Sequence, residues 1–455
     1  MKTFRRDTCL KNWENLGLNK TGKKNLPERI AGSIFSGGGL GDVGIEWGCG
    51  IPVLGACEIV PSRASLIRQN FPNTKVFEGD IWKLKDAYIN FFQKQLQGQH
   101  PWLITLSPPC QGMSSNGAGR IASSIRAAKR PKDDERNRLI LPGLDVLESL
   151  LPDWFLLENV KRMENTVIRN ESDLPENILD CVARRMHPLG YTIRSCILDF
   201  RDYGVPHHRE RLITIGCRLP EVVDSYPNLH AVFSKDLSPL HAPRTHGSQG
   251  LLPWVTLRDV TSDLSPLDAH SQLVDPKDPY HCIPPWNDKQ YYWMHHTPEG
   301  QTAFDNDHCP HCETRRKKPN QTKCSGCHLP LPIPQLVKDG KARLIRGFRT
   351  SYRRMWWDRP AGTLTMNSGV ISSDLKGHPE QNRVLSLREI LRLSTLDSEH
   401  WFKCYDFGGV PLGKWNANGT FSPRLVREVV GESIPPLAMT KMVRHLIDLE
   451  EKICK

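Results

Sequence analysis

From Gly32 to about Arg218 the chain repeats one unit: a short apolar run, a turn, and an amphipathic stretch. A strand buried on both faces reads as such a run, and the intervening stretch is long enough for a crossover helix, so the repeat predicts a parallel sheet covered by helices. The strand candidates are Ser33 to Ser36, Pro52 to Ile59, Lys75 to Ile81, Trp102 to Leu106, Trp154 to Leu157, Tyr191 to Leu198 and Leu212 to Cys217. Segments such as SRASLIRQNF and NILDCVARRM lie between them as helices. Seven strands complete a doubly wound, Rossmann-like α/β core.

Past Arg218 the periodicity fades, and Pro, His and Trp become frequent up to about Tyr352, as in a separate module of irregular structure. From Arg353 onward a strand-like piece (AGTLTM) and a helix-like run (SLREILRLST) return. The exposed loop PLGKWNANGTFSP then leads to the amphipathic helix LAMTKMVRHLIDLEEKI. With 455 residues the chain exceeds one ordinary core. It divides into an extension (1–30), the sheet domain (31–218), a smaller domain (219–425) and a C-terminal helix returning to the sheet domain (426–455).

Lys and Arg number 61 against 50 Asp and Glu, a net charge of +11, which suits a polyanionic partner. No apolar run is long enough to span a bilayer, and the basic start MKTFRRDTCLKNWENLGLNK has no apolar core behind it, so the expected location is the cytoplasm, away from any membrane. In that compartment the 14 cysteines serve as thiols, metal ligands or a nucleophile rather than as a disulfide framework.

The first strand ends in Phe35-Ser36-Gly37-Gly38-Gly39-Leu40-Gly41-Asp42, whose glycines allow close backbone approach to a ligand at a helix N-terminus. A glycine cluster alone is equally a plain tight turn. Glu58 closes the second strand and Asp80 the third, where carboxylates face ribose hydroxyls and an adenine amine. The fourth strand runs into Ser107-Pro108-Pro109-Cys110-Gln111-Gly112, which puts a thiol at the carboxyl end of a central strand; free cysteines are more often buried structural residues, but two prolines stiffen this approach. Glu158-Asn159-Val160 ends the fifth strand, and Asp202 to Arg211 (DYGVPHHRER) follows the sixth with alternate arginines, Arg209 and Arg211.

Together and in this order, these pieces resemble the cytosine-5 DNA methyltransferase family from Ser33 to about Met439, the middle module apart. RRMWWDRPAGTLTM, HPEQNRVLSLREILRLSTL and GESIPPLAM resemble its later motifs. Two positions depart from the family pattern: His207 stands where Gln is common, and Glu432 where Asn is common. The resemblance implies S-adenosylmethionine as methyl donor, held by Phe35, Ser36, Gly37, Gly39, Leu40, Glu58, Ile59, Asp80, Ile81, Pro108 and Ser433. It implies Cys110 as the nucleophile that attacks carbon 6 of a flipped cytosine, making carbon 5 electron-rich. Glu158 would then bring a proton to ring nitrogen 3, and Arg209 and Arg211 would stabilise the charge that develops. Domain 31–218 becomes the catalytic, cofactor-binding domain, and 219–425 the target-recognition region.

The basic, small-residue-rich stretch Met113 to Arg138 reads as a catalytic loop closing on phosphates. The irregular module holds Cys309-Pro310-His311-Cys312 and Cys324-Ser325-Gly326-Cys327, two C-x-x-C knuckles whose four thiolates complete a closed tetrahedral shell for structural Zn2+. His308, His311 and His328 are alternative ligands. The basic ETRRKKPNQTK between the knuckles suits phosphate contact. The expected partner is double-stranded DNA, bound by a monomer in restriction-modification or in host or phage DNA protection, with a cognate restriction endonuclease acting on the same site without necessarily touching it. An RNA methyltransferase of the same chemistry and a silent DNA-binding protein are the rival readings; the large recognition module opposes the first, and intact Cys110, Glu158, Arg209 and Arg211 oppose the second.

Overall fold

The structure is a computed structural model. It describes residues 27–109, 135–228, 231–248, 250–338, 341–345, 350–397, 402–408 and 421–454. The chain forms two compact units: residues 1–204, 209–252 and 433–455 make the first, and residues 205–208 and 253–432 the second. The seams at 252/253 and 432/433 lie further along the chain than the sequence boundaries at 218/219 and 425/426, and residues 205–208 group with the second unit.

The first unit is built on seven strands: β1 (Ala31–Ile34), β2 (Val53–Glu58), β3 (Lys75–Glu78), β4 (Leu103–Leu106), β5 (Trp154–Asn159), β6 (Thr192–Asp199) and β7 (Glu210–Cys217). Their order is β3-β2-β1-β4-β5-β7-β6. Pairs among β1 to β5 are parallel. The expectation of a parallel sheet fails at one edge, where β7 runs antiparallel to both β5 and β6. The physical reason is the short connection: residues 200–209 hold only a single helical turn, Phe200–Tyr203, so β6 and β7 form a hairpin without a crossover helix. Strand order reverses between β1 and β4, and the loops leaving these neighbours at their carboxyl ends frame the crevice such sheets use for ligands.

Helices α1 (Pro61–Asn70), α2 (Ile81–Leu96), α3 (Ile140–Leu150), α4 (Ile178–Met186) and α5 (Pro436–Ile453) belong to the first unit, with the shorter helices Leu40–Asp42 and Pro220–Ser225 and the hairpin Val167–Arg169 with Pro175–Asn177. Small residues let α2 and α5 approach closely. A Cβ on Gly32 would meet Tyr88 and Phe92 of α2 within 2.5 Å, and one on Gly44 would meet the Pro436 carbonyl at 2.5 Å. Among the described residues no helix is long and apolar enough to cross a membrane.

The second unit has short elements: helices Leu257–Thr261, Asp288–His295, Leu387–Leu393 and Pro423–Glu432, and small hairpins such as Gln335–Lys338 with Lys341–Leu344. Its apolar core gathers Trp286, Trp293, Met294, Ile371 and Val384. Irregular backbone leaves carbonyls that no ladder satisfies, and buried arginines take that role. Arg354 donates to the carbonyls of Met294, Thr297, His378 and Gln381 and to the Asn382 side chain.

Candidate active site

The loop after β1 is bent at three left-handed positions, Phe35 (φ 61°), Gly37 (φ 57°) and Gly39 (φ 78°). Glycine takes that conformation without a Cβ clash, whereas Phe35 holds it at a steric cost. Glu58, buried at the end of β2, locks the loop by accepting the Gly37 N–H at 2.8 Å with one oxygen and the Val60 N–H at 2.8 Å with the other. Burial pushes its carboxyl up from the usual range, and those N–H donors oppose the rise. The Ser433 hydroxyl lies 3.7 Å from where a Gly37 Cβ would stand.

Beside Glu58 the Ile59 side chain is 60% exposed, an apolar surface at a strand end. Asp80 lies beyond the end of β3, which stops at Glu78; its carboxylate caps α2 by accepting the Trp82 N–H at 3.1 Å. Leu40 and Ile81 are buried, Ile81 in the main core. Glycines at positive φ, a buried carboxylate, an exposed isoleucine and an acid capping α2 follow the carboxyl ends of β1, β2 and β3, a donor and apolar set of the kind an adenosyl group needs.

The second half of the site is set by β4 and β5. Asn159 donates from Nδ2 to the Pro108 carbonyl at 2.9 Å, while its Oδ1 accepts the Val160 N–H at 2.8 Å, so the Ser107-Pro108-Pro109 loop is tied to the end of β5. Cys110 is two residues past this anchor and lies outside the described residues, as does the expected catalytic loop apart from residues 135–138. Glu158, next to Asn159 and buried, accepts from Arg211 Nε at 2.8 Å. Arg211 also donates to the Glu210 carbonyl at 2.8 Å.

Arg209 is among the largest fully buried side chains. Its backbone is fixed by Asp199, whose Oδ1 accepts the Arg209 N–H at 3.1 Å, and by the Phe200 N–H, which donates to the Arg209 carbonyl at 3.1 Å. Asn159 and Asp199 hold these loops in place, a role that the sequence motifs do not single out. Their signal was a polar side chain at the end of an apolar strand, beside a motif already singled out.

Asp42, at the end of the glycine loop, is tied back to β1. Asp42 is buried, accepts the Ser33 hydroxyl at 2.9 Å, and is pushed by desolvation up to about 7. In the second unit, residues 205–208 pair with the AGT strip of the later motif. The His208 N–H donates to the Ala361 carbonyl, the Ala361 N–H to the Pro206 carbonyl, and the Thr363 hydroxyl to the His208 carbonyl. His207 is buried and pairs across to Ala361, and Glu432 is the exposed last residue of its helix.

The four knuckle cysteines converge in that unit, all sulfurs lying within 4.8 Å of one another. Cys309 and Cys327 are 3.5 Å apart, Cys312 and Cys324 3.4 Å. Tetrahedral zinc with ordinary zinc–sulfur bonds would space them about 3.8 Å apart, so the set fits the ion. Each knuckle turns through a left-handed residue right after its second cysteine, Glu313 (φ 56°) and His328 (φ 63°), and the Gly326 N–H donates to the Cys324 sulfur at 3.2 Å. No histidine joins this group among the described residues.

A family model described as C-5 cytosine-specific DNA methylase matches residues 31–447. Type II methyltransferase M1.HgaI of Avibacterium volantium is 28% identical over 441 residues, which span 94% of this chain and 99% of that protein. Type II methyltransferase M.AquIA of Picosynechococcus is 30% identical over 252 residues, 53% of this chain and 91% of that one. Among solved structures, a prophage-encoded E. coli protein assigned as a DNA modification methyltransferase superposes with a TM-score of 0.54 at 16% identity, covering 93% of this chain and all of that one, a likeness of fold.

Proposed function

Because the chain belongs to the C-5 cytosine-specific DNA methylase family, we propose that it methylates carbon 5 of a cytosine flipped out of a specific double-stranded DNA sequence, using Cys110 as covalent nucleophile. The observation that carries this reading is the buried Glu158–Arg211 pair, set beside the tied Pro108 loop on the same sheet edge as the cradle locked by Glu58. S-adenosylmethionine, bound there, supplies an electrophilic methyl group.

The residues divide the work by position. Glu58 and the glycine loop, with Phe35, Ser36, Gly39, Leu40, Ile59, Asp80, Ile81 and Ser433, would hold the cofactor. The Cys110 thiolate attacks carbon 6 of the cytosine, Glu158 delivers a proton to ring nitrogen 3, and the electron density reaches carbon 5. Arg211 orients Glu158 through the 2.8 Å contact, and buried Arg209 adds positive potential where the ring charge grows. After transfer, loss of the carbon 5 proton to solvent lets the thiolate leave.

In the second unit Cys309, Cys312, Cys324 and Cys327 hold structural zinc, which stiffens the target-recognition module. The enzyme acts as a cytoplasmic monomer in restriction-modification or in host or phage DNA protection. Transfer of labelled methyl groups to unmethylated duplex DNA, with tRNA as comparison, tests the reading. Wild type should label DNA, and Cys110→Ala should abolish transfer while leaving cofactor binding intact. Glu158→Gln should lose roughly 100- to 10,000-fold in kcat. Label on tRNA alone, or transfer by Cys110→Ala at the wild-type rate, would reject the proposal. Metal analysis should find one zinc per chain, lost in Cys324→Ser.

A further inference from the structure

The second unit carries the antiparallel hairpin Gln335–Lys338 with Lys341–Leu344. Its register pairs Gln335 with Leu344, Leu336 with Arg343, Val337 with Ala342, and Lys338 with Lys341. Side chains alternate across a strand, so Gln335 and Leu344 share one face, while Leu336, Arg343 and Lys341 share the other. The first face is anchored on the knuckles. Leu344 packs against the cluster of Cys309, Cys324, Leu331 and Ile333, and the Gln335 side chain donates to the carbonyls of Thr322 and Leu331.

The second face is turned to solvent and basic. Lys341 and Arg343 are exposed, and Leu336, opposite Arg343, is 55% exposed. Among the described residues neither cation makes an ion pair. Residues 307–345 carry eight Lys or Arg against three Asp or Glu, and of the described acids Asp307 is already engaged by Arg315. A ribbon anchored through one face, with exposed cations and a leucine on the other, is the electrostatic footprint of a surface that meets a polyanion, and Val337, on the anchored face, is exposed as well. A two-stranded ribbon about 10–13 Å long has the dimensions to enter a DNA major groove.

We propose that this hairpin is a DNA-contacting ribbon mounted on the four-cysteine site, with Lys341 and Arg343 on backbone phosphates of the duplex. The inference rests on the DNA-methylating reading above and adds the element that grips the substrate. Two phosphate contacts release counterions, so the ribbon should account for about two units of the slope of log affinity against log salt.

The test measures binding of a fluorescein-labelled, random-sequence 30-base-pair duplex between 50 and 200 mM salt, for the full-length wild type and for Lys341→Gln/Arg343→Gln. The double variant should bind roughly tenfold more weakly, lower the slope by about 1.8, and raise KM for unmethylated plasmid DNA without changing kcat. Each single variant should lower the slope by about half as much. Both positions are exposed, so unfolding midpoints should match wild type within the range usual for surface changes. An unchanged slope in a folded double variant would overturn the ribbon assignment. Wild type that binds duplex with the expected slope change but transfers no methyl group would support the ribbon and reject the proposed function. Wild type that does not bind duplex would overturn both.

Discussion

Two buried carboxylates, one in each unit, show how differently the halves of this molecule are held. Asp42 lies beneath the glycine loop with one hydroxyl donor, Ser33, and desolvation pushes it up to about 7. Glu389 is as deeply buried, but Arg383 grips both of its oxygens at 2.6 and 2.9 Å and the Ser386 N–H adds a third donor, so it is held down at about 2. The first unit is ordered by strand ladders and an apolar core, and can leave a carboxyl neutral in its interior. The second has few ladders and uses charges as fasteners. Buried polar groups there are the structure rather than an exception to it.

The largest effect should come from removing a fastener. Arg383→Met leaves Glu389 buried without its main partner, at an expected cost of about 3–5 kcal/mol in denaturant unfolding. A loss under about 1 kcal/mol would break the comparison, because it would mean that the apolar core of the second unit suffices. A pH series should sharpen it next. Asp42 has a folded pKa above its unfolded value of 3.8, so its contribution is full below pH 3.8 and is lost as pH rises through about 7. Glu389 has the opposite sign: its contribution is full above 4.5 and is lost as pH falls toward 2. Asp42→Asn should therefore gain on wild type by up to about 4 kcal/mol between pH 4 and pH 8. Urea unfolding at four pH values would show this, and parallel curves for the two proteins would refute it.

The same contrast explains what could be read from the sequence. Seven strand positions were legible because an apolar run such as Trp154 to Leu157 advertises burial on both faces, and the motif residues sit at the ends of those runs. The antiparallel turn of β7 was not legible, since direction depends on how 200–209 folds and the run Leu212 to Cys217 reads the same either way. The second unit reads as irregular because Arg354, Arg388 and Arg427 bind carbonyls and side chains far away in sequence, and such bonds leave no period. The knuckles were the exception. Metal ligands must come in close pairs, and that spacing survives in the sequence.

A smaller effect is expected where the sheet itself is tight. Gly216 of β7 faces Phe155 of β5, and a Cβ there would stand 1.9 Å from the buried Phe155 ring. Gly216→Ala should cost about 1–3 kcal/mol, read as a lower urea midpoint with unchanged m-value. A neutral result would mean that the edge hairpin is looser than its register implies.

The smallest effect separates the units by where the loss appears. Asn177 caps α4 by accepting the Leu179 N–H at 2.8 Å, and Thr256 forms a reciprocal capping box with Asp259 at the five-residue helix Leu257–Thr261. Either change to alanine should cost about 1 kcal/mol. In α4, whose buried face carries Ile178, Leu179, Cys181, Val182 and Met186, that cost should appear as a shift in global unfolding. The five-residue helix is too short to be stable by itself, so Thr256→Ala should open it locally and speed hydrogen exchange at the Asp259 amide. Should Thr256→Ala shift global unfolding with no change in local exchange, the second unit must unfold as cooperatively as the sheet, and its fasteners would then be equivalent to a continuous core.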